Sequence, residues 1–134
     1  DEIKEALNAD VNASESELAK LESQVHMANL QFPMKASEEV IIEKVELNDE
    51  AVIYICRVDE DLCDMDQIEA NAVEVKKGIV ETLADQTDIA TQLFIKYCVN
   101  CNRNITYRYI GNQSEVQHDV VITVSELKDL LKKE

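Results

Sequence analysis

Two glycines and one proline in 134 residues leave this chain almost without the residues that turn a backbone tightly. Glycine opens left-handed conformations and proline presets φ at a turn, so connections here must be few and made by polar side chains. The rest has to be long regular elements. Apolar residues make up 46% of the chain, enough for a core, and the length suits one domain that needs no metal or staple to fold. Residues 1–134 are therefore read as a single domain.

Hydrophobic spacing then places the elements. Ile3, Leu7 and Val11 recur every fourth residue, and Leu18, Leu21, Val25 and Ala28 continue at helical spacing, so residues 1–30 read as helical. Ser14 with Glu17 has the form of a capping box, which implies either one bent helix or a weak first helix before a firmer second. Few apolar groups tie down residues 1–12, and this N-terminal segment is expected to be partly mobile. Pro33 ends the helical region. Residues 38–47 and 51–58, rich in Val, Ile and Tyr, read as paired strands joined by Asn48, Asp49 and Glu50. Their centres carry apolar residues on both faces, as in a sheet covered by helices on one side and partly covered on the other.

Asp64 and Gln67 form a second capping box opening a helix, with Ile68, Ala72, Val75, Ile79 and Leu83 on one face. A polar break at 84–88 offers Asp85 or Thr87 as the cap of a continuation, which would carry Ile89, Leu93, Tyr97 and Cys101 on one stripe with Phe94 and Cys98 beside it. Residues 105–110 and 116–124 read as a second hairpin about the turn at Gly111–Ser114, and Ser125 as the cap of a short final helix. The order α-β-β-α-α-β-β-α implies an α+β fold: two β-hairpins forming a four-stranded antiparallel sheet packed with helices.

The net charge is −15, and its distribution is uneven: residues 31–64 carry −7, whereas residues 103–134 balance to zero. Such a surface repels phosphate backbones, which speaks against a nucleic-acid partner. It allows an acidic inhibitor that blocks a basic partner protein, although a solvated acidic surface is the commoner meaning of such a charge. No run approaches the ~18 apolar residues of a membrane span.

Four cysteines raise the question of metal or redox chemistry. Cys98 and Cys101 fall at the end of a helix, where the dipole disfavours a thiolate, the reverse of a redox CxxC. Zinc would need Cys56, Cys63, Cys98 and Cys101 to converge, in a spacing unlike a ribbon or finger. Cys56 alternates with Val52, Tyr54 and Val58, which fits a buried structural thiol. An even count leaves disulfides open. Asp59, Asp61, Asp64 and Asp66 offer oxygens for calcium, but an EF-hand frame from Asp59 puts Asp64 at the glycine position and Ala70 at the closing glutamate. The histidines, His26 and His118, stand in no catalytic motif, though a Cys101–His118 pair can be drawn. Gly78 and Gly111 are the only residues suited to a backbone cradle. No catalytic residue and no cofactor are assigned. Tyr107, Arg108 and Tyr109 form a candidate interaction surface, but packing of Ile105, Tyr107 and Tyr109 under a helix is the favoured reading. Three sequons, at Asn12, Asn104 and Asn112, have meaning only in a eukaryotic secretory route.

From about Ile68 to Leu131, a helix pair followed by "ITYRYIGNQS" and "VVITVSELKDLL" resembles small exported or lipid-anchored proteins of unknown function from gut-type bacteria. The resemblance implies an exported location, periplasmic or as a surface lipoprotein with its anchor lost together with a leader. A start at Asp1 suits that implication; a cytoplasmic location is the alternative. The expected function is a non-enzymatic exported binding or interaction domain for an unknown protein or small ligand. The alternatives are a cysteine-based zinc-binding domain and the acidic inhibitor.

Overall fold

The computed structural model describes residues 2–84 and 88–131, with side chains from residue 16 onward. A single helix, α1 (Glu2–Asn29), runs through the Ser14–Glu17 box without a break. Its half from Leu18 buries the expected stripe, with Leu21 and Val25 inside and Ala28 half-buried. Three backbone turns, ending with the Phe32 N–H on Asn29 O at 3.3 Å, bring the chain to Pro33. Then follow β1 (Met34–Lys35), β2 (Val40–Leu47), β3 (Ala51–Val58), α2 (Met65–Ala70), α3 (Ala72–Leu83), α4 (Ile89–Asn100), β4 (Asn104–Gly111), β5 (Gln117–Ile122) and α5 (Val124–Leu131).

The α+β class holds, but the sheet is five-stranded and mixed, in the order β1-β2-β3-β4-β5. Both expected hairpins form: β2 with β3 and β4 with β5, each antiparallel. Asn48 builds the first connection, its Oδ1 accepting the N–H groups of Glu50 and Ala51, each at 2.8 Å. The hairpins join along β3 and β4, which run parallel, Ala51 beside Asn104 and Tyr54 beside Tyr107. The physical reason is the connection. Helices α2, α3 and α4 form a crossover that returns the chain to the end where β3 began, so β4 starts there too. The fifth strand, β1, pairs Met34 with Ile42 and Lys35 with Ile41, and two residues after a proline are too short to show periodicity.

Setting aside Ile41, which is exposed on the other face, the apolar residues of β2 fall at 40 and 42 and then at 45 and 47, so the alternation slips by one. A β-bulge at Glu43 absorbs the slip: Ile42 pairs with Cys56 and Lys44 with Ile55. Both apolar pairs thereby face the helices. Val52, Tyr54, Cys56 and Val58 of β3 face the same way, into two clusters. The first joins Leu21, Ile95, Cys98, Ile105, Ile122 and Leu127, all with no measurable exposure, beneath α1, α4 and α5. Burial of each large aliphatic stabilises by about 1.5–3 kcal/mol. The second lies beneath α2 and α3 around Cys56, Val58, Met65, Ile68, Tyr109 and Val120. On the opposite face Ala51, Ile53 and Ile55 form a narrow buried stripe with Ile110. It is flanked by the Lys44–Glu46, Arg57–Glu43 and Arg108–Asp119 ion pairs of the strands themselves.

Several helix ends differ from expectation. The Asp64–Gln67 box opens α2, the Asp64 N–H donating to Gln67 Oε1 at 3.3 Å, but the helix breaks at Asn71, where α3 begins anew. Asp88 caps α4 by accepting the Thr91 N–H at 3.1 Å; Asp85 and Thr87 lie outside the described residues. Thr123, not Ser125, caps α5. Its hydroxyl accepts the Glu126 N–H and its own N–H donates to Glu126 Oε1, both at 3.2 Å, a reciprocal box that leaves Ser125 in the first turn. Helix α4 is rotated from the expected stripe: Ile95 and Cys98 are buried, whereas Ile89 is 79% exposed and Leu93 40%. A helix apolar on most sides carries no periodic signal strong enough to choose its buried face.

Candidate functional site: a groove between helix α3 and the sheet

Over the second cluster, α3 stands off from β2 and leaves an open cavity of about 430 Å³. Its floor is Cys56, Tyr107 and Tyr109, neighbours on β3 and β4 whose side chains all point to the helical face. One wall is Val40 and Ile42 of β2 with Ala36 before it. The other is one face of α3, where Val75, Gly78, Ile79 and Thr82 fall at i, i+3, i+4 and i+7. The bulge at Glu43 is what lets β2 turn both Val40 and Ile42 toward this space while Val45 reaches the first cluster. None of the lining residues is charged. A mostly apolar concavity of this volume falls within the range of ligand sites, about 300–1,000 Å³.

Tyr107 supports the floor through stacking. Its ring lies 4.8 Å from that of Tyr54 with 10° between planes, the in-register neighbour on the parallel strand. Phe32 meets Tyr54 edge-on at 6.4 Å, tying the segment that leads into β1 to the same aromatic column. Burial pushes the phenol of Tyr109 up to about 12 and raises that of Tyr107. Burial likewise pushes the Cys56 thiol up to about 12. These groups stay protonated near neutrality and present the cavity with an uncharged lining.

Gly78 is the residue with no internal explanation. It is an exposed residue in the interior of α3 without positive φ, and a Cβ added there would meet nothing within 4 Å among the described residues. Glycine at an interior helix position costs roughly 1 kcal/mol relative to alanine. Its carbonyl accepts the Thr82 hydroxyl at 3.0 Å, a bond any residue at 78 could accept. Periodicity alone groups Val75 and Ile79 as a core stripe and leaves Gly78 suited only to a backbone cradle. A glycine inside an otherwise regular helical stripe was the available signal for a gap.

Tyr107 and Tyr109 lie under the helices, as the favoured packing reading has it, while Arg108 projects from the opposite face. There its Nε and Nη2 donate to Asp119 Oδ1 and Oδ2 at 3.0 and 3.1 Å. The three therefore form no single surface. All four cysteines are free thiols. Cys56 belongs to the second cluster and Cys98 to the first; Cys63 lies in the loop before α2, and Cys101 ends α4. Among the described residues no three His, Cys, Asp or Glu side chains are grouped to hold a metal ion. His118 pairs with Tyr109, at the far end of β4 from the α4–β4 junction that holds Cys101, so the two make no pair. His26 is exposed on α1.

Two aspartates of the acidic loop, Asp59 and Asp61, have structural partners. Asp59 Oδ1 accepts the Asp61 N–H at 3.0 Å, and Asp61 Oδ1 accepts Gln113 Nε2 at 2.9 Å. Gly111 and the backbone of Gln113 and Ser114 instead make a seat for Glu60.

Comparison with known proteins finds the fold elsewhere. No family model matches the chain, and no curated protein matches its sequence. A solved structure of a Pseudomonas aeruginosa protein described as secreted superimposes with a TM-score of 0.67 at 10% identity, covering 85% of this chain and 95% of that one. The pilotin of the Vibrio vulnificus type 2 secretion system superimposes with a TM-score of 0.56 at 6% identity, covering 85% and 94% respectively. At such identities the likeness is one of fold. No described helix is long and apolar enough to cross a membrane.

Proposed function

We propose that this chain is an exported, non-enzymatic binding domain whose groove between α3 and β2 receives an apolar stretch of a partner protein. The observation that carries the reading is the uncharged, partly open cavity of about 430 Å³, walled by Val40, Ile42, Val75 and Ile79 over a tyrosine floor. Apolar lining gives binding energy by removing area from water, at ~25 cal/mol per Å². The partner's charge follows from this chain's own: β2 belongs to the stretch 31–64, which carries −7, so basic residues beside the inserted apolar ones are favoured. Export accords with two proteins of the same fold, one described as secreted and the other a component of a secretion system. A periplasmic or lipid-anchored position, close to protein-export machinery, is the setting this reading assigns.

The test is methyl NMR on the intact chain with two amphipathic peptides of the same apolar face, one flanked by lysines and one by glutamates. The lysine peptide is expected to shift the methyl signals of Ile42, Val75 and Ile79, with an affinity that falls as salt rises. The glutamate peptide is expected to bind much more weakly. Signals at those three residues unmoved by either peptide would overturn the reading.

A further inference from the structure

We infer that Gly78 is the specificity-determining position of the groove: the absent side chain opens a slot in α3 for an uncharged, ring-sized apolar group of the ligand. The inference rests on the binding reading above and adds what the ligand inserts and where. Neither backbone conformation nor close packing calls for a glycine here, since Gly78 has ordinary helical backbone angles and a methyl group at this exposed, groove-lining position would touch nothing among the described residues. The helix bears an intrinsic cost for glycine that no contact among the described residues offsets, and we place the compensation in what the groove admits. The slot has the chemistry of a ring site. Val75 and Ile79 flank it on the helix, and Tyr107 and Tyr109 lie on the floor, where an inserted ring can meet them stacked or edge-on. No charged side chain lines the cavity, so a charged group would lose its hydration there without a partner. The acidity of residues 31–64 keeps carboxylate-bearing ligands from the β2 side and admits neutral or basic ones.

The experiment uses the neutral fluorophore N-phenyl-1-naphthylamine as the ring-sized probe, with the parent chain and the variants Gly78→Ala and Gly78→Leu. Fluorescence titration gives the affinity, methyl NMR the location, and thermal unfolding the integrity of each variant. Gly78→Ala is expected to raise Tm and weaken the probe a few-fold. Gly78→Leu is expected to keep Tm at or above that of the parent and to weaken the probe at least tenfold. Equal affinity for the parent and a folded Gly78→Leu chain, with the parent's Ile42, Val75 and Ile79 signals still moved by probe, would remove the slot and leave the groove reading intact. A parent chain whose groove signals the probe does not move, and which also fails with the lysine peptide, would remove both.

Discussion

Asn29, the last residue of α1, hydrogen-bonds to Val45 of β2 as a neighbouring strand would. Its Nδ2 donates to Val45 O at 2.8 Å, and the Val45 N–H donates to its Oδ1 at 2.9 Å. The pairing is needed because β1 reaches only Ile41 and Ile42, leaving the later part of the β2 edge without a strand partner. A side-chain amide supplies both a donor and an acceptor, closing that edge and fixing where α1 crosses the sheet.

Replacing Asn29 by alanine is accordingly expected to cost about 1–3 kcal/mol, since Val45 is buried and both its backbone groups lose their partner. Asn29→Asp keeps the acceptor for the Val45 N–H but not the donor, and should fall between. Urea unfolding of the three proteins checks the order, and hydrogen exchange at the Val45 amide checks the place. An alanine variant within about 0.5 kcal/mol of the parent would mean water replaces the amide at no loss.

Glu60 makes a comparable closure at the other end of the sheet. Its Oε1 accepts the N–H groups of Gln113 and Ser114, each at 2.7 Å, and these bonds hold its carboxyl below the usual glutamate range. A lowered folded value means the contribution is complete above the unfolded value of about 4.3 and is lost as pH falls through the folded value. The stability gap between parent and Glu60→Gln should therefore be open at neutral pH and close in the acid range. A methyl at Gly111 would sit on this carboxylate, so Gly111→Ala should lower Tm in the parent and much less in a Glu60→Ala background. Additive effects in that cycle would show that Gly111 serves something other than Glu60.

How much of this was legible beforehand follows from what periodicity encodes. Alternation along 51–58 marks which residues share a face, and Val52, Tyr54 and Cys56 do share one, but alternation says nothing of which strand lies alongside. The parallel pairing of Tyr54 with Tyr107 depends on the length and course of three helices between them, a non-local quantity. The slip from Ile42 to Val45 was present in the sequence as a change of parity. It is a bulge rather than two apolar faces because the register of β3 stays intact beneath it. Capping boxes were local enough to read at Asp64 and were missed at Thr123 by two residues, where the strand ends earlier than its valines suggest. Of the groove, the tyrosines were seen and the gap was not, because a gap is a property of two elements standing apart.

The cysteines offer a direct check on the two clusters. Burial pushes the thiols of Cys56 and Cys98 up to about 12, and both are nearly inaccessible, at 2% and 0% exposure. Cys63 and Cys101 are half-buried, with thiols raised chiefly by partial burial. Since the thiolate is the reactive form, native protein at pH 8 should react with a thiol reagent at Cys63 and Cys101 in minutes. Cys56 and Cys98 should react only through unfolding, at a rate that rises with denaturant. Full denaturation should release all four. Because Cys56 lies on the groove floor of the folded chain, N-phenyl-1-naphthylamine bound there should stabilise the native state and slow the unfolding-limited reaction of Cys56 and Cys98 alike. Mass spectrometry of the labelled peptides separates the four sites. Native labelling at Cys98 as fast as at Cys101 would mean that the first cluster is open to solvent and that α1, α4 and α5 do not close over it.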